Sequence, residues 1–322
     1  MNIYPIKFEP ILQEKIWGGS KLQSVLNKKC TSDTTGESWE ISGVEGNISQ
    51  VANGLYEGES LVSLLENHTS EFVGAANYER FGNEFPLLIK FLDAKTNLSV
   101  QVHPDDEMAQ RDHNSYGKTE MWYIMDHEEE AEIILGLKDK NANTEILRDV
   151  TGDNVYDVFN KEKVTRGDAY FIPAGKIHAI GAGVLAAEIQ QTSDITYRVY
   201  DWDREDKEGQ KRDLHLDQSV AATREFYEEC KKECKANSNT SSNVVACDYF
   251  TTNVLRVNKA YEKSYANLDS FVILMCVEGC ASVTVNNKTE IVFKGETVLL
   301  PANTKEAFFF AKDAQFLEVY ID

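Results

Sequence analysis

The sequence has no apolar run of eighteen or more residues. Its longest candidates, such as SFVILMCV at 270–277, have the length of a strand, so the hydropathy signal of a membrane-spanning helix is missing. The first residues, MNIYPIKFEPILQEKIWGG, lack the basic start, apolar centre and small-residue cleavage site of a secretory signal, and a cytoplasmic location is expected. Positive charge is short as well: 33 Lys and Arg face 53 Asp and Glu, for a formal net charge of −20 without a long basic cluster. That balance argues against nucleic acid or an anionic membrane as a partner, and no obligate protein partner is expected. A small anionic substrate would need a few placed cations to overcome the repulsive field. Six cysteines occur, with CxxxC spacing at Cys230/Cys234 and Cys276/Cys280. The first pair is expected on a helix and the second in and just after a strand, which makes a poor zinc frame; reduced thiols are the better reading.

What is there reads as packed and β-rich. The 322 residues are 42% hydrophobic, enough for two domains each with its own core. Strand-like segments punctuated by Gly, Pro and Asn dominate, among them PLLIKFLDA, LSVQVH, EMWYIM, AEIILGL, DAYFIP, VLAAEIQQ, SFVILMCV, ASVTVN and QFLEVYI. Three helical patches lie between them: ESLVSLLENH, the acid-rich PDDEMAQR and LDQSVAATREFYEE. Many strands and few helices predict a mainly β protein, sandwich or barrel, with helical decoration. The polar stretch EECKKECKANSNTSSN predicts a boundary, giving a domain over 1–232, a linker over 233–243 and a second domain over 244–322. A repeat crosses that boundary. Gly167, Pro173, Gly175 and His178 have counterparts 128 residues on in Gly295, Pro301, Asn303 and Glu306 (295 − 167 = 306 − 178 = 128). The second copy has lost its histidine, with Asn303 expected to keep the turn through positive φ; chemistry is therefore expected in the first copy only.

The pattern G-x5-P-x-G-x2-H resembles the second motif of the cupin superfamily, which implies two jelly-roll β-barrels with helical insertions. The first cupin motif here reads Gln101-Val102-His103, with Glu120 delayed by the PDDEMAQR insertion. Strand alternation puts Ser99, Gln101 and His103 on one face, and Lys118 and Glu120 together on another. Gln101, His103, Glu120 and His178 could thus converge as two oxygens and two imidazoles, a plausible zinc set with room for water or substrate. His68, His113, His127 and His215 sit in ordinary polar contexts and read as surface or capping residues. The clusters DDE at 105–107 and HEEEAE at 127–132 read as solvated faces.

LSVQVHPDDEMA, GKTEMWYI, IPAGKIHAIGAG and EIQQTSDITYRVYDWDR, with IWGG and GESWEIS, closely resemble the signature segments of the type I mannose-6-phosphate isomerase family in its short bacterial form. The resemblance implies a zinc-dependent aldose–ketose isomerase acting on mannose 6-phosphate and fructose 6-phosphate, in mannose utilisation or GDP-mannose precursor supply. It implies one Zn²⁺ on Gln101, His103, Glu120 and His178. It places Ser99, Lys118, Glu188, Asp194 and Arg198 in the active site, Trp17 and Glu37 at the rim or pocket, and Arg204 as the basic residue shortly after the active-site arginine. The phosphate is expected at Arg204, Ser99 and Arg198. The proton carrier is left between Lys118 and Glu188. A neutral Gln among the ligands leaves one anionic donor and a residual charge of about +1 at the metal, suited to polarising substrate oxygens.

Overall fold

A computed structural model describes residues 1–224 and 229–322 as two antiparallel β units packed back to back. In the first, a seven-stranded sheet runs in the order Ile11–Gly19, Thr35–Ile41, Leu87–Ala94, Val184–Gln191, Glu120–His127, Ala169–Ile172 and Lys231–Lys232. It faces a five-stranded sheet ordered Tyr197–Tyr200, Val100–Val102, His178–Ile180, Glu132–Leu137 and Phe159–Lys163. The second unit repeats the scheme: Thr240–Ala246, Thr251–Val257, Ala314–Tyr320 and Val272–Val285 follow one another as Thr35–Ile41, Leu87–Ala94, Val184–Gln191 and Glu120–His127 do. The repeat read from Gly, Pro and His spacing is thus a repeat of strand order.

Alternation in the central strands sets the two faces of the large sheet. In Leu87–Ala94, the side chains of Leu87, Ile89 and Phe91 join one buried core, while Leu92 joins another. The first core extends through Met121, Leu185 and Ile189 to Ile273, Leu317 and Val319 of the second unit, so the outer faces of the two large sheets bury each other. The second barrel also has its own interior core, built from Leu255, Leu274, Val283, Phe309 and Phe316. That interior holds Glu318, fully buried, on the strand equivalent to the one bearing Glu188. Lys263 Nζ approaches both carboxylate oxygens at 2.6 Å, and the Tyr265 and Ser241 hydroxyls donate at 2.7 and 2.8 Å.

The insertion between the two halves of the first motif is the helix Asp106–His113. Asp105 caps it by accepting from Met108 N, acidic residues open its first turn, and Asn114 ends it at φ 52°. Asp106 is not on a solvated face as expected: its carboxylate accepts from Gly117 N, Gln191 Nε2 and the Tyr249 hydroxyl, tying the insertion to both β units.

Five further expectations are revised. Residues 270–286 form one strand, Val272–Val285, because a bulge at Cys276/Glu278 and Gly279 at φ 69° bend the ladder without stopping it. Cys230 and Cys234 flank the short strand Lys231–Lys232, not a helix, and all six cysteines are free. Gly167, Gly175 and Gly295 adopt positive φ but Asn303 does not, so the second turn keeps the proline and first glycine without the left-handed residue. The helix expected over 216–229 is Leu216–Ala222, and the part of that expectation at 225–228 lies outside the described residues. The strand Thr240–Ala246 begins within the stretch read as linker.

Candidate metal centre and substrate cleft

The cluster forms where the two sheets of the first unit face each other. Gln101 pairs with His178 across one strand boundary and with Arg198 across the other, so the row Arg198–Gln101–His178 crosses the smaller sheet. Glu120 comes from the larger sheet, and His103 follows the strand of Gln101 directly. Among the described residues, His103, Glu120 and His178 are the group whose ligand atoms could hold a cation, all within 4.8 Å of one another and all buried.

Elementary hydrogen-bond chemistry tests that fit. His103 Nδ1 lies 2.8 Å from Ile195 O, and His178 Nδ1 lies 2.8 Å from Lys176 O. A carbonyl only accepts, so both rings carry their proton on Nδ1 and turn an Nε2 lone pair inward. Those lone pairs face Glu120 at 3.4 and 3.3 Å. His103 Nε2 and both Glu120 oxygens are buried without a hydrogen-bond partner. Acceptors turned on one another are unfavourable unless a cation lies among them, and the donor set fits one. Burial and the Lys118 charge hold the His103 imidazolium down to about pKa 3, and burial lowers His178 too, so both are neutral donors at pH 7. Burial works to raise the Glu120 pKa, but the Lys118 charge, the largest opposing influence, keeps the carboxylate ionised. The Gln101 amide adjoins the cluster, with Nε2 3.3 Å from His178 Nε2 and Oε1 3.3 Å from Ser99 Oγ. Rotating the amide about its last torsion exchanges its oxygen and nitrogen.

Beside the cluster opens a cleft of about 290 Å³. Trp17, Glu37, Ser99, Gln101, Lys118, Glu188, Asp194 and Arg198 all line it, so most of the residues expected from sequence meet there. Lys118 Nζ sits 3.4 Å from Glu120 Oε2. Glu188 is held on two sides, accepting from Trp122 Nε1 at 3.1 Å and facing Lys90 Nζ at 3.4 Å. Burial pushes its carboxyl pKa up and the Glu120 charge adds to this, against Lys90 and Lys118. Glu37 is buried too, yet Lys90, Lys15 and the Trp39 Nε1–H bond keep its pKa low.

Arg204 is the departure. Its guanidinium is spent on Asp201 Oδ1, at 2.5 Å, and on the backbone oxygens of Asn97 and Asp201, and it does not line the cleft. Arg212 lines the cleft instead, aligned by a paired contact in which Nε donates to Asp201 Oδ2 at 2.7 Å and a terminal nitrogen to Oδ1. Lys90, Lys15 and Thr196 also line it and were not singled out from sequence. Lys90 did leave a signal, as a lone charge inside the apolar strand PLLIKFLDA. Arg212, in the polar loop QKRDLH, left none. Among the residues read as ordinary, His113 Nε2 meets the Tyr197 hydroxyl at 2.8 Å. His215 Nδ1 accepts from Arg198 N at 3.1 Å, and so supports the strand carrying Arg198.

The fold and site define a protein of two cupin units with a buried His–Glu–His centre in the first. Residues 6–161 match the family model described as phosphomannose isomerase type I, catalytic domain, and residues 240–309 match the mannose-6-phosphate isomerase cupin domain. The chain is 38% identical over 307 residues to YvyI and 36% identical over 309 residues to mannose-6-phosphate isomerase ManA, both of Bacillus subtilis, with 94% of each chain covered. The crystal structure of a mannose 6-phosphate isomerase from Bacillus subtilis superposes with a TM-score of 0.88 at 34% identity, covering 99% of both chains. The chain belongs to the type I phosphomannose isomerase family and is an isomerase of that class.

Proposed function

We propose that the protein interconverts mannose 6-phosphate and fructose 6-phosphate through a cis-enediol, with one Zn²⁺ held by Gln101, His103, Glu120 and His178. The observation that carries this reading is three buried, mutually facing acceptors at the end of a cleft lined by Lys118, Glu188, Arg198 and Arg212. When bound, the metal would supply Lewis-acid polarisation of the sugar oxygens on which charge develops, and zinc does so without redox chemistry that would oxidise an enediol.

The rest of the work falls to the chain. Moving a hydrogen between C2 and C1 needs a group that takes a proton from one carbon and returns it to the other on the same face. Lys118 and Glu188 both border the cleft and are the two candidates. The raised pKa of Glu188 suits a carboxyl that must hold a proton for part of the cycle. Arg198 is a fixed cation that offsets enediolate charge; its Nε is buried and unpartnered, while a terminal nitrogen donates to Asp213 O at 2.7 Å. Arg212, held by Asp201, takes the phosphate in place of Arg204, with Ser99 and Asp194 on the sugar hydroxyls and Trp17 and Glu37 on the cleft wall. Catalysis resides in 1–232, and 244–322 packs behind the catalytic sheet. Cytoplasmic sugar-phosphate metabolism is the expected setting; among the described residues no helix is long and apolar enough to cross a membrane. The test is a coupled assay of the purified chain on mannose 6-phosphate, with glucose 6-phosphate and unphosphorylated mannose as comparisons. Fructose 6-phosphate should form from mannose 6-phosphate alone at a substantial rate, and failure to form it overturns the reading.

A further inference from the structure

Residues 116–119 lead from the insertion helix Asp106–His113 into the strand Glu120–His127 and carry Lys118. A segment between regular elements must find partners for its N–H groups elsewhere. Gly117 N donates to Asp106 Oδ1 at 2.8 Å, Lys118 N to Pro104 O at 3.1 Å, and Thr119 N to the side-chain Oε1 of Gln191 at 2.8 Å. Gln191 N in turn donates to Thr119 O at 3.1 Å. Thr119 Oγ1 accepts from Ala174 N, in the turn before His178, at 3.2 Å. The helix and the segment lie so close that a Cβ on Gly117 would stand 2.6 Å from Asp106 N. The two side-chain acceptors are also tied to each other, since Gln191 Nε2 donates to Asp106 Oδ1 at 2.9 Å. The other Asp106 oxygen, Oδ2, accepts from the Tyr249 hydroxyl at 2.9 Å. Tyr249 belongs to the second unit, in the turn between Thr240–Ala246 and Thr251–Val257, and its ring packs on the shared core. Burial and the Asp106 carboxylate push its pKa up, so the hydroxyl is a donor at pH 7.

We propose that Tyr249 and Asp106 are positioning residues for the isomerase site. Through Tyr249, Asp106 and Gln191 the second unit braces the main chain that aims Lys118 and Glu120. The inference rests on the roles given to those two residues above, and it gives the second barrel a task beyond packing. Lys118 Nζ stands 3.4 Å from Glu120 Oε2, and Thr119 between them carries the Gln191 bonds, so loosening the brace displaces both groups together. A small displacement of groups that act on the transition state is read in kcat. The cations assigned to the phosphate, Arg212 and Arg198, stand on another loop and strand, so KM should not follow. The brace works by geometry, because what Gly117 N and Gln191 Nε2 need from Asp106 is an acceptor oxygen, which an amide also supplies.

Steady-state kinetics of the zinc-loaded full chain on mannose 6-phosphate, with zinc per chain measured on each sample, test this. Tyr249→Phe removes only the hydroxyl and should lower kcat about fivefold, the worth of about one hydrogen bond, with KM within about twofold and zinc retained. Asp106→Ala should lower kcat further. Asp106→Asn should restore most of it, since Oδ1 still accepts and Nδ2 can donate to the Tyr249 oxygen. Gln315→Ala is the matched control. Gln315 Nε2 donates to the Tyr123 hydroxyl at 2.7 Å, a bond between the same two units on the strand face opposite Glu120. That variant should lose stability with kcat unchanged. Hydrogen exchange of peptides covering 114–120, followed by mass spectrometry, is a readout independent of turnover: exchange at 117–119 should quicken in Tyr249→Phe and not in Gln315→Ala. A wild-type chain that does not turn over mannose 6-phosphate overturns the isomerase reading and this proposal with it. With wild-type turnover intact, four results overturn the proposal alone: unchanged kcat in Tyr249→Phe, an equal fall in Gln315→Ala, a rise in KM in place of the fall in kcat, or unchanged exchange at 117–119.

Discussion

Gln101 occupies the middle of the row Arg198–Gln101–His178, which sets one neutral amide beside both the His–Glu–His cluster and the cleft. Lys118 and Glu188 are separated by role in a measurable way. Exchange of the C2 hydrogen of mannose 6-phosphate with solvent, followed by NMR in Lys118→Ala and Glu188→Gln, should collapse in one variant by about a hundredfold or more and persist in the other. Wild-type exchange in both excludes both as the proton carrier. Arg212 gives a second residue-scale expectation. Arg212→Ala should raise KM for mannose 6-phosphate at least about tenfold with little change in kcat, because phosphate binding is shared by ground and transition states. Arg204→Ala, whose partners are Asp201 and backbone oxygens, should raise KM less; the reverse ranking would restore Arg204 to the phosphate.

At the scale of elements, the second barrel holds a buried ion pair, Lys263–Glu318, on the strand equivalent to the one that carries Glu188 in the first. Glu318 is fully buried and accepts from Lys263, Tyr265, Ser241 and Asn253. Burial alone would raise its pKa; Lys263 and the hydrogen bonds reverse that and hold it below the ordinary value of 4.5. A depressed folded-state pKa contributes stability that is complete above the unfolded value and is lost as pH falls through the folded one. Glu318→Gln should therefore lower stability by about 3 kcal/mol at pH 7, and the gap should narrow as pH falls below the ordinary value of 4.5, as urea midpoints of both proteins across that range would show. A gap independent of pH would mean that packing, not the ionised pair, sets the cost. The same elements show what the sequence could disclose. Strand alternation in LSVQVH and the Pro–Gly turn before His178 are local, so the convergence of His103, Glu120 and His178 was legible. The side-chain pairing of Arg212 with Asp201 joins residues eleven apart through a loop without periodicity, and no pattern announces it. The single strand Val272–Val285 was read as two because Gly279 looks like a turn until the ladder on either side is known.

At the scale of the molecule, the two β units share a core that runs from Phe91 and Ile189 to Ile273 and Val319. Neither unit can expose its half without losing apolar burial on the other, so they should unfold together. All four tryptophans, Trp17, Trp39, Trp122 and Trp202, lie in the first unit, whereas far-ultraviolet circular dichroism reports both. The two signals should give coincident urea transitions; separated midpoints would show the units to be independent. The buried His–Glu–His cluster beside Gln101 should hold the metal on which isomerisation depends. This is tested most directly by measuring metal content and mannose 6-phosphate turnover on the same sample, before chelation, after it, and during back-titration with zinc. About one zinc per chain, loss of turnover with its removal and recovery in proportion to zinc returned is the expected result. Full turnover from a chain stripped of metal would contradict it.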